Sequence, residues 1–97
     1  MMSKEEYVEY AEGMAAGLSV MVVSDNDEIR YEGAEIIAVG LADMYCKLDK
    51  NELFYKYTMA LVNALSIIAT NEDAGTRMEG SGLFMECLAE VGRKIYK

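Results

Sequence analysis

Paired carboxylates are the residues of this sequence best suited to chemistry. Two glutamates stand three residues apart in each of two segments: Glu9 and Glu12 in "EYAE", and Glu32 and Glu35 in "EGAE". Residues with this spacing share one face of a helix. If two such helices pack side by side, four carboxylates can surround Mg²⁺, a hard cation that prefers oxygen ligands. A bound Mg²⁺ can activate water and hold a pyrophosphate group, so this spacing predicts metal-assisted hydrolysis.

The segment that carries these pairs resembles a known family. Residues 8–49 include "VEYAEGMAAGL" and "EGAEIIAVGLADMYCKLD", and they are similar to the paired acidic helices of MazG-like nucleotide pyrophosphohydrolases. Those all-α enzymes carry ExxE on one helix and ExxD on the next, and they hydrolyse nucleoside triphosphates to monophosphates with Mg²⁺. The resemblance implies metal-ligand roles for all four carboxylates. Arg30 and Lys47 are the nearby bases for a triphosphate.

The distribution of charge gives a second interpretation. The net charge is −8, and residues 1–35 carry nine acids against two bases while residues 36–97 carry eight against seven. Direct binding to nucleic acid requires the opposite sign, so we expect none. The acids of the first two segments form rows spaced i, i+4, i+7, namely Glu5, Glu9 and Glu12, then Glu28, Glu32 and Glu35. Such rows can imitate a phosphate backbone and dock on a basic protein surface.

Two absences favour this second interpretation. The chain has no histidine, the commonest general base near neutral pH, and no nucleophile and base stand together in sequence. We therefore favour a non-enzymatic interaction protein, of the type of small phage inhibitors or regulators, that needs no cofactor. The Mg²⁺-dependent enzyme remains the alternative. The N-terminus lacks a signal-peptide apolar region, and we expect a cytoplasmic protein without membrane contact.

A glycine-rich stretch, "AGTRMEGSGLF" at residues 74–84, supplies a third interpretation. Gly75 and Gly80 have the spacing of a phosphate-binding loop, but Ser81 occupies the position of the required lysine. The stretch is therefore predicted to be a helix interior. Gly80 and Gly82 would then either let another helix approach closely or line a crevice for a small ligand in a helical oligomer.

Four helix-start signals divide the chain and position these residues. A small polar side chain precedes an acid by three residues at Ser3, Asp25, Asp49 and Thr70. Each pattern is typical of a helix N-cap. There is no proline to interrupt a helix. The spacing predicts helices over about 3–23, 26–47, 50–69 and 71–96. They would form one all-α domain, 1–97, with the up-down topology that short connections favour. An α/β or α+β arrangement is the competing prediction, because "LSVMVVS" and "ALSIIAT" are rich in β-branched residues.

Apolar spacing predicts which side chains face inward. The predicted seams are Tyr7, Ala11, Met14, Leu18 and Met21; Ile29, Gly33, Ile37, Leu41, Met44 and Leu48; Phe54, Tyr57, Leu61, Ala64 and Ile68; and Ala74, Met78, Ser81, Met85 and Leu88. These patterns follow the period of packed helices. The third segment, "TMALVNALSIIAT", is apolar nearly all round, which favours burial on several sides and a homo-oligomer. Cys46 and Cys87 are predicted to be core thiols.

Overall fold

Four helices make up almost the whole chain. A computed structural model describes all residues from Met1 to Lys97, and its helices are α1 Lys4–Val23, α2 Asp27–Lys47, α3 Glu52–Thr70 and α4 Ala74–Ile95. It contains no strand, so the competing α/β prediction is wrong. Each helix packs against the next, and α4 packs against α1. The predicted all-α up-down bundle is confirmed.

The helices begin slightly later than the sequence signals predict. Ser3 caps α1 with a complete capping box, but the other three N-caps are Asn26, Asn51 and Asp73. Asp49 cannot cap α3, because it and Lys50 have positive φ angles of 55° and 57° in the preceding turn. Thr70 is the last residue of α3, and its hydroxyl donates to the Ser66 carbonyl at 2.8 Å. The capping chemistry was therefore predicted correctly, whereas three of the four positions were wrong.

One core joins the four helices. Eighteen buried apolar residues form a single cluster, and the inward positions predicted for α1, α2 and α3 largely belong to it. One predicted member of the α2 seam fails, because Ile29 is exposed. Gly33 is half-buried and faces α1, since a Cβ there would lie 2.6 Å from Met21 Cγ. The α4 prediction is wrong by one residue for most of its length: the buried positions are Arg77, Gly80, Phe84, Leu88 and Val91, while Met78 is exposed. An arginine and a glycine on the buried stripe hid the correct register, since neither is apolar in the way that periodicity analysis detects.

The apolar helix α3 is only partly covered. It packs between α2 and α4 through Phe54, Leu61, Leu65 and Ile68, but Tyr55 and Met59 project into solvent. By length and composition α3 could cross a membrane. Core helices of soluble proteins pass the same test, and the packing of α3 within the bundle fits a soluble protein. The expected burial of α3 on several sides is therefore incomplete within one chain.

The bundle is built from two equivalent helical hairpins. Residue n of the α1–α2 hairpin corresponds to residue n + 47 of the α3–α4 hairpin, so the N-caps Asn26 and Asp73 are equivalent. Identical residues at this offset include the pairs Tyr10 and Tyr57, Leu18 and Leu65, Arg30 and Arg77, Glu32 and Glu79, Gly33 and Gly80, Leu41 and Leu88, and Lys47 and Lys94. The chain is thus an internal repeat with approximate two-fold symmetry, which spacing of the cap signals alone did not predict.

Candidate functional site

The register of the α1–α2 hairpin decides where the paired carboxylates lie. A side chain at Gly17 would meet Ile37, and one at Gly33 would meet Met21, so the two helices run antiparallel with these residues level. Glu9 and Glu32 therefore lie toward opposite ends of the hairpin. At a rise of 1.5 Å per residue, the two acidic pairs are separated along the hairpin by roughly 10 to 20 Å.

The four paired carboxylates do not gather around one point. All four side chains are exposed, and residues 1–97 contain no group of three or more His, Cys, Asp or Glu arranged to hold a metal. Arg30 is buried and bonded to backbone carbonyls. Lys47 donates to Tyr10 and pairs with Asp43. Neither base is free for a triphosphate, so the metal-ligand roles and the pyrophosphohydrolase resemblance remain predictions without geometric support.

An open apolar groove runs between α1 and α2. We call this the α1–α2 groove; its volume is about 700 Å³ and its floor contains Met14, Met21 and Ile37. Its walls include four glycines: Gly13, Gly17, Gly33 and Gly40. The carboxylates of Glu9 and Glu32 stand on its two rims. The groove therefore combines an apolar floor with an acidic border.

The second hairpin shows why this groove is open. Its residues at the positions of Gly13, Gly17 and Gly40 are Ala60, Ala64 and Cys87, and α3 and α4 pack more closely than α1 and α2. A Cβ at Gly13 would meet no atom within 4 Å. Packing within this chain therefore does not require glycine at that position, although glycine destabilises a helix interior by about 1 kcal/mol. Space at Gly13 is available to an outside partner.

A polar network that includes Tyr10 lies at one end of the groove. Lys47 Nζ donates to the Tyr10 hydroxyl at 2.7 Å, and that hydroxyl donates to Asp43. The hydrogen bond from Tyr10 lowers the pKa of Asp43, and the hydrogen bond to Tyr10 raises the pKa of Lys47. Both side chains are therefore charged at neutral pH. In the second hairpin the equivalent Lys94 donates to the Tyr57 hydroxyl at 3.2 Å and pairs with Glu90, but Glu90 accepts from Arg93 instead of from Tyr57. The lysine–tyrosine contact is therefore a structural feature of the repeat.

The predicted acidic rows are exposed but do not form one flat double row. All six glutamates, Glu5, Glu9, Glu12, Glu28, Glu32 and Glu35, lie on the surface of the first hairpin. Glu12 borders the cleft between α1 and α4, on the other side of α1 from the groove. Glu28 lies beside Asp25, Asp27 and Glu72 at the loop end of the bundle. Of the six, Glu9 and Glu32 are the two that line the α1–α2 groove.

Two buried arginines at the loop end were not predicted. Arg30 donates to the carbonyls of Ser24 at 2.7 Å and Ala69 at 3.1 Å. Its equivalent, Arg77, donates to those of Asn71 and Val22, both at 2.9 Å. Each guanidinium thus joins the C-terminal ends of α1 and α3, where unpaired carbonyls carry partial negative charge. The recurrence of "RYEG" and "RMEG" 47 residues apart was the available sequence signal.

The remaining predicted positions have structural explanations. Gly80 is buried, and a Cβ there would lie 3.0 Å from Ile68 Cγ1, so this glycine permits close approach of α3. Gly82 is exposed and faces open space. Cys46 is exposed, so the core-thiol prediction is wrong for it. Cys87 is half-buried, and burial raises the pKa of its thiol.

Comparison with known proteins gives no relative from which a function could be transferred. Neither a protein-family model, nor a curated protein, nor a solved structure matches this chain significantly. The basis for a function is therefore the geometry of the first hairpin: an apolar groove, acidic rims and exposed carboxylates around it.

Proposed function

We propose that this chain is a non-enzymatic, cytoplasmic interaction protein whose α1–α2 groove binds a cationic helical segment of a nucleic-acid-binding protein. By occupying that segment it would act as an inhibitor or regulator of the partner. The observation that supports the proposal is the groove itself, with Glu9 and Glu32 on opposite rims of an apolar floor.

The shape of the groove suits a helix with one apolar face. Amphipathic helices bind by laying their apolar residues into a hydrophobic groove. Methionine side chains are flexible and polarisable, so Met14 and Met21 can adapt to different apolar side chains. The glycines at 13 and 17 let the partner backbone approach α1 closely. These features favour a helical ligand over a flat protein surface.

The charges favour a basic ligand. Residues 1–35 carry nine acids and two bases, and one of those bases, Arg30, is buried among carbonyl groups. Exposed carboxylates around a groove attract cationic partners and raise the association rate, an effect that salt screens. Lysine and arginine residues that normally contact phosphates could pair with Glu9 and Glu32. The proposed complex should therefore weaken as salt increases.

A designed peptide tests the groove directly. The probe is an amphipathic helix of about 20 residues, with leucines on one face and lysines on the other. We expect binding by isothermal titration calorimetry at about 50 mM salt, weakened at about 300 mM. Glu32→Gln should raise the Kd roughly fivefold, the loss of about 1 kcal/mol of ion pairing. The matched control is Glu79→Gln, the equivalent position of the second hairpin, which should leave the Kd unchanged.

Other results would contradict the proposal. Equal effects of Glu32→Gln and Glu79→Gln would mean that only general charge matters and that the groove is not the site. No binding at low salt would also reject it. Pyrophosphate release from nucleoside triphosphates that requires Mg²⁺ and stops in Glu32→Gln would instead support the pyrophosphohydrolase alternative.

A further inference from the structure

The connection between the two hairpins is the only part of the chain with left-handed backbone. It consists of residues 48–51, between the end of α2 and the start of α3, and we call it the hinge. Asp49 and Lys50 have φ angles of 55° and 57°, and no other residue has a positive φ. In this conformation the Cβ of any residue other than glycine crowds the following carbonyl oxygen. The hinge therefore holds strain that the rest of the backbone does not.

Glycine would relieve this strain, but the hinge contains none. All eight glycines of the chain lie elsewhere, and none of them has a positive φ. The Asp49 N–H donates to the Cys46 carbonyl at 3.1 Å. The Lys50 N–H donates to the Tyr45 carbonyl at 2.9 Å. These two hydrogen bonds form a Schellman motif, in which the residue at position 49 is usually glycine. Residues 41–74 include neither glycine nor proline, so the hinge can also straighten into extended or helical backbone.

Within each hairpin the connection is unstrained. Residues 24–26 join α1 to α2 and residues 71–73 join α3 to α4, and the backbone at both ends of each connection is extended. Arg30 and Arg77 each donate to a carbonyl in the loop of their own hairpin, which holds that loop in place. Each hairpin is therefore a unit, and the strain lies between the two units.

The two hairpins meet through one interface and one covalent link. At the interface α2 packs against α3, and α4 packs against α1. Arg30 donates across it to the Ala69 carbonyl. In the opposite direction Arg77 donates to the Val22 carbonyl. None of these contacts requires both hairpins to belong to the same chain. The second hairpin of another copy can make the same contacts, because the hinge is the only covalent connection.

We propose that two copies of this chain exchange hairpins at the hinge. In the exchanged dimer, each four-helix bundle combines α1 and α2 of one copy with α3 and α4 of the other. Short hinges under strain favour such exchange, because opening releases the strain in both copies while the contacts between helices are kept. The closed hinge gains an ion pair between the Met1 amino group and Asp49 at 3.5 Å, but both groups are exposed and such pairs contribute little.

The exchanged dimer carries two α1–α2 grooves, since each groove lies within one hairpin. A partner with two basic segments would then bind both grooves at once and with higher avidity. The exchange itself does not depend on the function proposed above. Association costs entropy, so the closed monomer dominates in dilute solution and the exchanged dimer at high concentration.

Refolding at high concentration tests the exchange. The chain is unfolded in urea, refolded at about 1 mM and analysed by light scattering coupled to size-exclusion chromatography. We expect a species of twice the chain mass of 10.8 kDa. The double variant Asp49→Gly/Lys50→Gly is unstrained when closed, so it should lower the fraction of dimer at least about tenfold. The matched control is Glu72→Gly, in the unstrained connection of the second hairpin, which should leave the fraction unchanged.

Trypsin distinguishes exchange from a dimer that forms by surface contact. Cleavage after Lys50 should convert the exchanged dimer into bundles of one chain mass, because only the two hinges hold its bundles together. A dimer that keeps twice the chain mass after this cleavage would overturn the proposal. A wild type that refolds only to monomer would overturn it too, as would a double variant that dimerises as well as the wild type. All three substituted positions are exposed and outside the helices, so circular dichroism should show the wild-type helical signal in both variants.

Discussion

At the scale of single residues, buried polar groups join neighbouring helices through hydrogen bonds to backbone carbonyls. Tyr7 is buried, and its hydroxyl donates to the Leu88 carbonyl at 2.5 Å, joining α1 to α4. Its ring packs edge-on against Tyr96, with centroids 5.6 Å apart. Burial raises the pKa of the Tyr7 phenol well above its usual value of 10.0. The folded state thus favours the neutral phenol. The free energy of unfolding should therefore fall at alkaline pH, where the phenol of the unfolded chain loses its proton.

The direction of that dependence follows from proton linkage. In the unfolded chain the phenol loses its proton near pH 10, while the folded chain keeps it. The stabilising effect is complete below about pH 10 and is lost as pH rises toward the higher folded pKa, by up to about 1.4 kcal/mol per pH unit. Urea unfolding at several pH values measures this slope. Tyr7→Phe should reduce it and should cost about 1 kcal/mol near neutral pH for the lost hydrogen bond.

The control for this experiment is Tyr55→Phe, which removes an exposed phenol and should leave the slope unchanged. Some slope remains in Tyr7→Phe, because burial also raises the pKa values of Cys87 and Tyr96. An unchanged slope in Tyr7→Phe would contradict the assignment to Tyr7.

At the scale of elements, two glycines in the same bundle have opposite effects. Gly13 faces open space, so Gly13→Ala should raise the free energy of unfolding by about 1 kcal/mol through helix propensity. A Cβ at Gly92 would lie 2.6 Å from Tyr7 Cε1, and the Tyr7 ring is fixed by its hydrogen bond. Gly92→Ala should lower the free energy by about 1 to 3 kcal/mol through overpacking. Denaturant unfolding of the two variants gives both values.

The test depends on the sign of each change in the free energy of unfolding, positive for Gly13→Ala and negative for Gly92→Ala. A stabilising Gly92→Ala would mean that α1 and α4 are not as close as described. A destabilising Gly13→Ala would mean that the space beside α1 is occupied in the free protein.

The elements are also where the sequence was most informative. Helix number and type were predictable, because capping residues and apolar spacing act locally. The register of α4 was not, because its buried stripe includes Arg77, whose burial depends on the carbonyl ends of other helices. The distance between the two acidic pairs could not be predicted from the sequence pattern of either helix. Glu9 and Glu32 are separated by the antiparallel pairing of α1 with α2, which no spacing within one helix reveals.

At the scale of the whole molecule, the two hairpins differ in how they satisfy their buried arginines. Arg30 Nη2 donates to Asp27, whereas Arg77 Nη2 has no hydrogen-bond partner and lies 3.6 Å from the exposed Asp25 carboxylate. Alanine occupies position 74, the equivalent of Asp27. The second hairpin thus lacks a carboxylate equivalent to the one that accepts a hydrogen bond from Arg30 in the first hairpin.

Restoring the symmetry should stabilise the fold. Ala74→Asp places a carboxylate where Arg77 Nη2 can donate to it, and the expected gain is about 1 kcal/mol in the free energy of unfolding. Asp27→Ala, which makes the first hairpin resemble the second, should lose a similar amount. Thermal or urea unfolding measures both.

Ala74→Asn separates charge from shape in this experiment, since it adds a side chain of the same size without the charge. A gain of the same size in Ala74→Asn, or no gain in Ala74→Asp, would show that Arg77 does not need the missing carboxylate.

Both chain termini lie at the end of the bundle opposite the two hairpin loops, next to the turn between α2 and α3. The Met2 N–H donates to the Lys47 carbonyl at 2.8 Å, and the Tyr96 hydroxyl donates to the Met2 carbonyl at 2.8 Å. Under the repeat, the passage from α4 back to α1 corresponds to the turn from α2 to α3. The four helices therefore form a ring in which the peptide chain supplies three of the four links. A short linker from Lys97 to Met1 and a cut at residues 49–50 would give the order α3, α4, α1, α2 with every helix contact retained. In topological terms the protein is a closed cycle of two hairpins, and the helix at which the chain starts is not a property of the fold.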